Sequence, residues 1–297
     1  MAASQTATAS RRVGLLAAAP SPALVLGAIA SVQFGAAIAV TLFSSIGPGG
    51  AVWLRLLGGT AILVPLWRPR WRGRSRSDLL LAGLFGFVLA SMNFTFYSSI
   101  HRIPLGIAVT FEFIGPLMVA IAGSRRPLDL LWVALAAAGI LALTQGGVNH
   151  LDPLGVALAL IAGGLWAAYI LINARVGRAF EGATGLSLAM CVGTLLMTPL
   201  GIAQGGSHLL EPRSLLLGAA VGLLSSAIPY SFENEALRRI RPGVFGVLMS
   251  IEPAMAALAG FIALGQGLSA REVLGIGLVV VASVGAARRA REAPIDL

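Results

Sequence analysis

The sequence predicts an all-α membrane protein with ten transmembrane helices, built as two inverted five-helix repeats with both termini in the cytoplasm. Three observations lead to this prediction: an apolar composition, apolar runs of membrane-spanning length, and arginines concentrated on one side of those runs. Of the 297 residues, 57% are hydrophobic and 11% are charged, against roughly 25% charged residues in a soluble domain. Because a helix of about 20 apolar residues crosses ~30 Å of hydrocarbon, the solvent of this chain is a bilayer.

Ten apolar runs, each bounded by Pro, Gly or Arg, account for most of the chain. They cover residues 23–44, 48–67, 78–99, 104–123, 128–145, 153–173, 183–203, 214–237, 242–264 and 270–287. The predicted organisation is therefore an N-terminal tail (1–21), a first five-helix repeat (22–146), a second five-helix repeat (152–288) and a C-terminal tail (289–297).

The basic residues predict the orientation, because Lys and Arg in short loops favour the cytoplasmic side of a membrane. All 21 are arginines, and 17 of them lie in the tails or in loops on one side of the predicted spans. Arg102, Arg213 and Arg271 lie on the other side, and Arg55 lies inside a span. Both termini are thus predicted to be cytoplasmic, as in a multi-pass protein of a bacterial inner membrane, and the net charge of +9 does not indicate nucleic-acid binding.

An internal repeat relates the two halves of the chain. Residues 59–66 (GTAILVPL) match residues 193–200 (GTLLMTPL). A second match, at a constant offset of 137 positions, pairs Arg102, Ile103, Gly106 and Pro116 with Arg239, Ile240, Gly243 and Pro253. A five-helix unit crosses the membrane an odd number of times, so its second copy enters from the opposite side. Such inverted repeats are typical of alternating-access carriers, whose binding site lies near the bilayer midplane.

Three full charges fall near the middle of predicted spans: Arg55, Glu112 and Glu252. Each costs about 2.5–3.5 kcal/mol on insertion scales unless it pairs or faces water. One explanation is an Arg55–Glu112 ion pair that only fastens two helices, but it leaves Glu252 unexplained. The other is a central polar cavity, in which Arg55 binds a substrate carboxylate and a glutamate meets the substrate ammonium group or a coupling proton.

Further polar or amphipathic side chains within spans are weaker candidates for the same cavity. Glu233 and Glu235 lie near the predicted cytoplasmic end of the eighth span beside Arg238 and Arg239, where an interfacial ion pair is the simpler interpretation. Glu233 is still kept as a candidate. The full set of weaker candidates is Gln33, Asn93, Tyr97, Trp166, Tyr169, Tyr230, Glu233 and Asn234.

Enzymatic functions find little support in the residues. His101, His150 and His208 all fall in predicted extracytoplasmic loops, and no H-E-x-x-H zinc motif occurs. Nothing supplies a nucleophile with a neighbouring base. Repeated acidic or carbonyl-rich motifs that build a channel filter are missing as well. We therefore expect a carrier without catalytic residues, metal or cofactor, whose partners are a small-molecule substrate, a proton and the lipid bilayer.

Two longer strings identify a family resemblance. Residues 103–109 (IPLGIAV), followed by Phe111-Glu112-Phe113 and Gly115-Pro116, form the first, and residues 229–233 (PYSFE) with 245–254 (FGVLMSIEPA) form the second. With ten spans in two repeats, they resemble the EamA-type proteins of the drug/metabolite transporter superfamily, and among these the threonine/homoserine exporters. The resemblance covers nearly the whole chain.

This resemblance implies efflux of small amino acids such as threonine and homoserine, in exchange for protons. Efflux or uptake of another small metabolite or drug stays an alternative, and a membrane scaffold without transport activity is the rival outside transport. Where the superfamily commonly has Leu-Gly-Glu after the ninth span, this chain has Leu264-Gly265-Gln266, so an acid has no role at that point.

Overall fold

Most of the part of the chain that the structure, a computed structural model, describes is helical; the described residues are 19–69, 73–122, 128–144, 151–181, 183–237, 239 and 248–290. In the first half the helices are α1 (Ser21–Val40), α2 (Phe43–Trp67), α3 (Arg76–Ile100), α4 (Leu105–Glu112), α5 (Ile114–Ala122) and α6 (Leu128–Thr144). In the second half they are α7 (Pro153–Ala179), α8 (Thr184–Gly205), α9 (Pro212–Gly222), α10 (Ile228–Leu237), α11 (Glu252–Leu264) and α12 (Ala270–Ala290).

Helices lie in every one of the ten predicted runs, and several are long enough to cross a membrane. By length and composition, six qualify: Ser21–Val40, Phe43–Trp67, Arg76–Ile100, Pro153–Ala179, Thr184–Leu210 and Pro212–Glu233. Shorter apolar helices occupy Leu105–Val119, Leu131–Ala142 and Glu252–Leu264. The helical class is confirmed, whereas the number of crossings and the orientation stay predictions. The predicted tails, except residues 19–21 and 289–290, and residues 242–247 of the ninth run lie outside the described residues.

Local sequence signals explain where several helices begin. Ser75 precedes α3, and its hydroxyl accepts a hydrogen bond from Asp78 N at 3.1 Å, while the Asp78 carboxylate in the first turn complements the helix dipole. Asp152 caps α7 in the same way, accepting from Leu154 N at 2.9 Å. Pro153 follows it at the first helical position, where a missing N–H costs nothing.

The helices are broken at several points in or beside the predicted spans. Gly47 has a φ of 65° inside α2, directly before Pro48, and a π-helical turn, Leu223–Ala227, separates α9 from α10. Phe113 separates α4 from α5. Ser250 is likewise a turn residue ahead of α11, and it stands 137 positions after Phe113, which is the offset of the sequence repeat.

The most extensive helix contacts join one half of the chain to the other. Equivalent spans meet in the pairs α2 with α8, α4 with α11, and α6 with α12. The other large contacts also have counterparts in the opposite half. Helix α3 packs on α7 and α8, and its equivalent, the α9–α10 span, packs on α1 and α2. Likewise, α4 packs on α7, and its equivalent α11 packs on α1. Exchanging the two halves therefore leaves this set of large contacts unchanged. Thr60 and Thr194, which match in the repeat, lie hydroxyl to hydroxyl at 3.0 Å.

Apolar side chains cover the outside of this bundle, and polar ones lie within it. Leu80, Leu195 and Leu216 expose between 71% and 74% of their surface, whereas Gln33 and Asn93 expose 2% and 3%. Exposed apolar surface of this extent marks a membrane or protein contact. The distribution is that of a protein whose solvent is lipid.

Two glutamine side chains tie the halves together at one end of the bundle, which the arginine distribution predicts to be extracytoplasmic. Gln204 Oε1, at the end of α8, accepts a hydrogen bond from Gly49 N at 2.7 Å, just after the break in α2. Gln266 Oε1 accepts from Leu105 N at 3.0 Å, at the start of α4. Both amides satisfy backbone donors that a helix start leaves without a partner. The residue that stands where the superfamily has an acid is therefore a helix cap.

An ion pair joins the halves at the same end. Arg102 Nη1 donates to Asp152 Oδ2 at 2.7 Å, and this hydrogen bond lowers the pKa of the Asp152 carboxyl group. Nearby, Ser99 Oγ donates to the carbonyl oxygen of Gly155 at 2.8 Å. This end of the bundle is held by several contacts that cross between the halves.

Two glycines bring α7 against the break between α4 and α5. A Cβ added at Gly163 would lie 2.6 Å from the backbone oxygen of Glu112, and one added at Gly115 would clash with the carbonyl oxygen of Gly163. Gly164, the next residue along α7, has nothing within 4 Å of an added Cβ. The backbones at this crossing are in direct contact, so no side chain fits between them.

We predict that Gly163→Ala destabilises the protein by about 1–3 kcal/mol, because the added methyl group must push two backbones apart. Gly164→Ala is the matched control, and it should be neutral or slightly stabilising, since Ala is favoured over Gly inside a helix by about 1 kcal/mol. The thermal unfolding midpoint of each detergent-solubilised variant measures the difference. Equal midpoints for the two variants would contradict this packing.

Candidate functional site

The three charged residues predicted within spans all face the interior. Arg55 in α2, Glu112 at the end of α4 and Glu252 at the start of α11 expose 7%, 8% and 6% of their surfaces. The two acids lie within electrostatic range of each other, and Glu112 also lies within range of Arg55. The structure thus gathers these three residues from both halves of the chain.

Arg55 is held by neutral acceptors. Its Nη1 donates to the hydroxyl of Tyr97 at 3.3 Å, and its Nη2 donates to the backbone oxygen of Ser225 at 3.0 Å. Its Nε is buried and has no hydrogen-bond partner. The guanidinium group therefore carries a full charge and an unused donor into the protein interior.

The Arg55–Glu112 ion pair that the sequence offered as an alternative is not formed. Among the described residues, ion pairs within 4.0 Å join Arg102 to Asp152, His208 to Glu211 and Arg239 to Glu235. Glu112 accepts no hydrogen bond from any described side chain or backbone group, although Arg55 attracts it at longer range. The Arg55 guanidinium group and the Glu112 carboxylate can therefore each bind another group.

Glu252 has a partner that the sequence could not specify. Gln33 Nε2, from α1, donates to Glu252 Oε1 at 3.0 Å in a buried hydrogen bond. Glu252 Oε2 and Gln33 Oε1 are also buried, and neither has a partner. Because Glu252 is the first residue of α11, its carboxyl group lies at the positive end of the helix dipole.

Aromatic residues of the second half complete the cluster. Tyr230 in α10 interacts through its hydroxyl with both Arg55 and Tyr169, and Tyr169 stacks on Phe85 at 5.1 Å between ring centroids. The rings of Trp166 and Phe113 meet edge to face, with 5.6 Å between their centroids, and Phe113 is the residue that follows Glu112 in the chain. Of the aromatic candidates, Tyr97, Tyr169 and Tyr230 thus reach Arg55 directly or through one another, and Trp166 lies beside the helix break.

Glu233 and Glu235 have different surroundings although they are two residues apart. Glu235 forms an ion pair with Arg239, as the sequence predicted for this interfacial region. Glu233 instead lies within electrostatic range of Glu252, Tyr169 and Tyr230. Glu233 therefore lies, half-buried, beside the buried cluster.

Two weaker candidates do not join this cluster by any described contact. Asn93 is buried, but its side-chain amide donates a hydrogen bond to the backbone oxygen of Leu89 at 2.7 Å. This bond lies within helix α3. The Asn234 side chain lies outside the described residues.

Sequence reasoning also missed Ser225, whose backbone oxygen binds Arg55. Pro229 carried the signal, because a proline leaves the carbonyl group four residues earlier without its helical donor.

The described residues also form a concave surface elsewhere. It lies on the outer face of α3 and is lined by Arg76, Leu79, Leu80, Gly83, Leu84 and Phe87. Its exposed leucines are typical of a lipid-facing groove, and none of the clustered residues contributes to it. A central cavity between the halves stays a prediction.

No group of three or more His, Cys, Asp or Glu side chains in the described ranges is placed to hold a metal ion.

Comparison with known proteins gives one family and several relatives. The model of the EamA-like transporter family matches residues 153–288. The chain is 44% identical over 272 residues to the threonine/homoserine exporter RhtA of Escherichia coli (strain K12), an alignment that covers 91% of this chain and 92% of that protein. It is 43% identical over 274 residues to RhtA of Salmonella typhimurium (strain LT2), with the same coverage.

More distant relatives are described as transporters without a stated substrate. The uncharacterized transporter YwfM of Bacillus subtilis (strain 168) is 29% identical over 76% of this chain and 79% of its own length. The uncharacterized inner membrane transporter YedA of Escherichia coli (strain K12) is 29% identical over 69% of this chain. One solved structure superposes with a TM-score of 0.61 at 18% identity, over 91% of this chain and 98% of that chain, and at this identity the likeness concerns the fold alone.

Proposed function

The chain belongs to the EamA-like transporter family, and on that premise we propose that it exports small amino acids of the threonine and homoserine kind by proton antiport and alternating access. It is a multi-pass protein of the inner membrane. As a transporter it acts on a small-molecule substrate and contacts lipid, and we expect no catalytic activity.

The observation that carries the proposal is the enclosed cluster of one base and two acids. An amino acid is a zwitterion, so its carrier needs one positive and one negative pole a few ångströms apart, shielded from lipid. Arg55 supplies the positive pole with a buried, unused Nε donor, and guanidinium groups bind carboxylates through a fork of donors. Glu112, which accepts no hydrogen bond from a described residue, supplies the negative pole for the substrate ammonium group.

Proton coupling follows from the surplus acid. Once Arg55 and one carboxylate have matched the zwitterion, the other carboxylate stays as an unmatched buried charge. Removal from water disfavours an ionised carboxyl group, and a like charge nearby disfavours it further. A proton neutralises it at the least cost, so one state of the cycle carries a proton and another carries the amino acid.

Alternating access is supported by how the halves pack. The site takes Gln33, Arg55 and Glu112 from the first half and Tyr230, Glu233 and Glu252 from the second. The paired neighbours described above, with Thr60 against Thr194 at 3.0 Å, are those of two copies related by a pseudo-twofold axis. For five-helix units that axis lies in the membrane plane, so we propose inverted repeats with both termini in the cytoplasm. Rocking of such halves exposes a shared site to each side in turn.

The contacts at the predicted extracytoplasmic end supply the gate in this scheme. Outward opening must break the hydrogen bonds of Gln204 and Gln266 to backbone donors of the other half, together with the Arg102–Asp152 pair. These bonds are individually weak on a net basis, about 0.5–1.5 kcal/mol each. A barrier of that size suits a gate that opens once per transport cycle.

We predict that cells expressing Glu112→Gln or Glu252→Gln export much less radiolabelled threonine or homoserine than cells expressing the wild type. The first change removes the negative pole and the second removes the surplus titratable group. Glu181→Gln, at an exposed position, is the control and should export normally at equal membrane abundance. Unchanged export in both acid variants would remove these glutamates from the mechanism, and no export by the wild type would contradict the proposed substrate.

A second prediction concerns the coupling ion. In vesicles that contain the purified protein and a trapped pH dye, external threonine should alkalinise the lumen, because each entering amino acid moves a proton outward. Protein-free vesicles control for passive leak of the substrate. A silent dye during verified threonine uptake would show that transport is not coupled to protons.

A further inference from the structure

We propose that Glu252 is the proton carrier of the antiport cycle, and that the side-chain amide of Gln33 holds its neutral form with two hydrogen bonds, which leaves Glu112 and Arg55 to bind the substrate. This assignment rests on the proposed function and goes beyond it, because it gives the two buried acids separate tasks and gives Gln33 a positioning role.

The first support is a count of hydrogen bonds at the Gln33–Glu252 contact. One bond is made, from Gln33 Nε2 to Glu252 Oε1 at 3.0 Å. Two atoms of the same pair, Gln33 Oε1 and Glu252 Oε2, are buried without a partner. Both are acceptors when Glu252 is ionised, so neither can satisfy the other. A buried polar atom without a partner is costly, and a buried charged one more so.

A single proton corrects both defects. If it binds to Glu252 Oε2, the new hydroxyl group can donate to Gln33 Oε1, and the amide and acid then form a ring of two hydrogen bonds. The step balances simply: an O–H bond of hydronium in the open cavity breaks, the Oε2–H bond forms, and the reverse transfer to water on the other side completes the cycle. No oxidant, metal or further reactant is needed.

The charged neighbours of Glu252 act in the same direction. Glu233 from α10 and Glu112 from α4 are both acids within its electrostatic range. Arg55 from α2 donates hydrogen bonds to Tyr97 and Ser225 instead. The described charged side chains of α12, Arg271 and Glu272, belong to its first turn, beyond the opposite end of α11. Like charges close together favour a shared proton among them.

Glu112 has a different environment, which explains the division of tasks. No described group donates a hydrogen bond to it, and its nearest opposite charge is Arg55. It is therefore placed to share a zwitterion with Arg55, one residue at each pole. Glu252 already accepts a hydrogen bond from the neutral amide of Gln33, and no described cation is hydrogen-bonded to it. Its carboxyl group is therefore better suited to bind a proton than a substrate ammonium group.

The pair also connects protonation to the packing of the halves. Gln33 lies on α1 of the first half and Glu252 on α11 of the second, 219 positions apart. When the proton leaves, one of the two hydrogen bonds is lost and two acceptor oxygens face each other. The contact between α1 and α11 then weakens, which provides a physical link between proton release and relative motion of the halves.

The test separates exchange from proton-driven transport in vesicles containing the full-length protein. Exchange of labelled for unlabelled threonine needs no net proton movement, whereas accumulation driven by a pH gradient does. Glu252→Gln should lose gradient-driven accumulation and lumenal pH change, while measurable exchange survives. Glu112→Gln should lose both. Loss of coupling by Glu112→Gln with exchange intact, or gradient-driven accumulation by Glu252→Gln, would overturn the assignment.

Gln33 is tested by its effect on the pH profile and on an infrared signal. Gln33→Leu keeps the volume but removes the amide and with it the hydrogen bonds of both protonation states of Glu252, so the pH of half-maximal gradient-driven transport should shift. Gln33→Glu, which adds an acid that can share the proton, should move it to higher pH. The carbonyl band of a protonated carboxyl group should be present in the wild type, absent in Glu252→Gln and displaced in Gln33→Leu. An unshifted profile and band in Gln33→Leu would refute the role of the amide.

These outcomes distinguish the inference from the function beneath it. Absence of threonine exchange by the wild-type protein contradicts the proposed function itself. Normal wild-type exchange and coupling, with coupling also normal in Glu252→Gln, contradicts only the assignment of the proton carrier.

Discussion

The cost of placing a full charge in a membrane interior governs this structure. Arg55, Glu112 and Glu252 would each cost about 2.5–3.5 kcal/mol in contact with lipid, and all three are buried within the protein instead. Helices of both halves must meet to enclose them, and the close backbone contact of Gly115 with Gly163 sets the position of Glu112. The breaks near Phe113 and Ser250 place both acids at helix ends.

Much of this arrangement could be predicted from the sequence, because bilayer physics acts on local features. Apolar runs predict the helices, and a charge in such a run must face inward, so the sequence predicts that Arg55, Glu112 and Glu252 lie in the protein interior. The same reasoning reached Gln33, Tyr97 and Tyr230. It gave no way to distinguish Asn93, which is equally buried but bonds within its own helix.

The contacts themselves could not be predicted, since they depend on how distant segments pack. The Gln33–Glu252 hydrogen bond spans 219 positions. The acceptor of Arg55 Nη2 is a backbone oxygen in a π-helical turn, and Pro229 indicates that this oxygen is free but not which side chain binds it. Glu233 and Glu235 have similar local sequence but different partners, because one turns towards α11 and the other towards Arg239. Tertiary packing decides these details, and they determine which acid is free to bind substrate.

The central claim is that a buried base and a buried acid bind the two ends of one small zwitterion. Equilibrium binding to the purified protein tests it most directly, with threonine, its methyl ester and its N-acetyl derivative as ligands. The ester lacks the carboxylate that we propose Arg55 binds, and the acetyl derivative lacks the ammonium group that we propose Glu112 binds. Threonine should bind saturably and both derivatives should lose most of the affinity, whereas equal binding of all three would contradict the account.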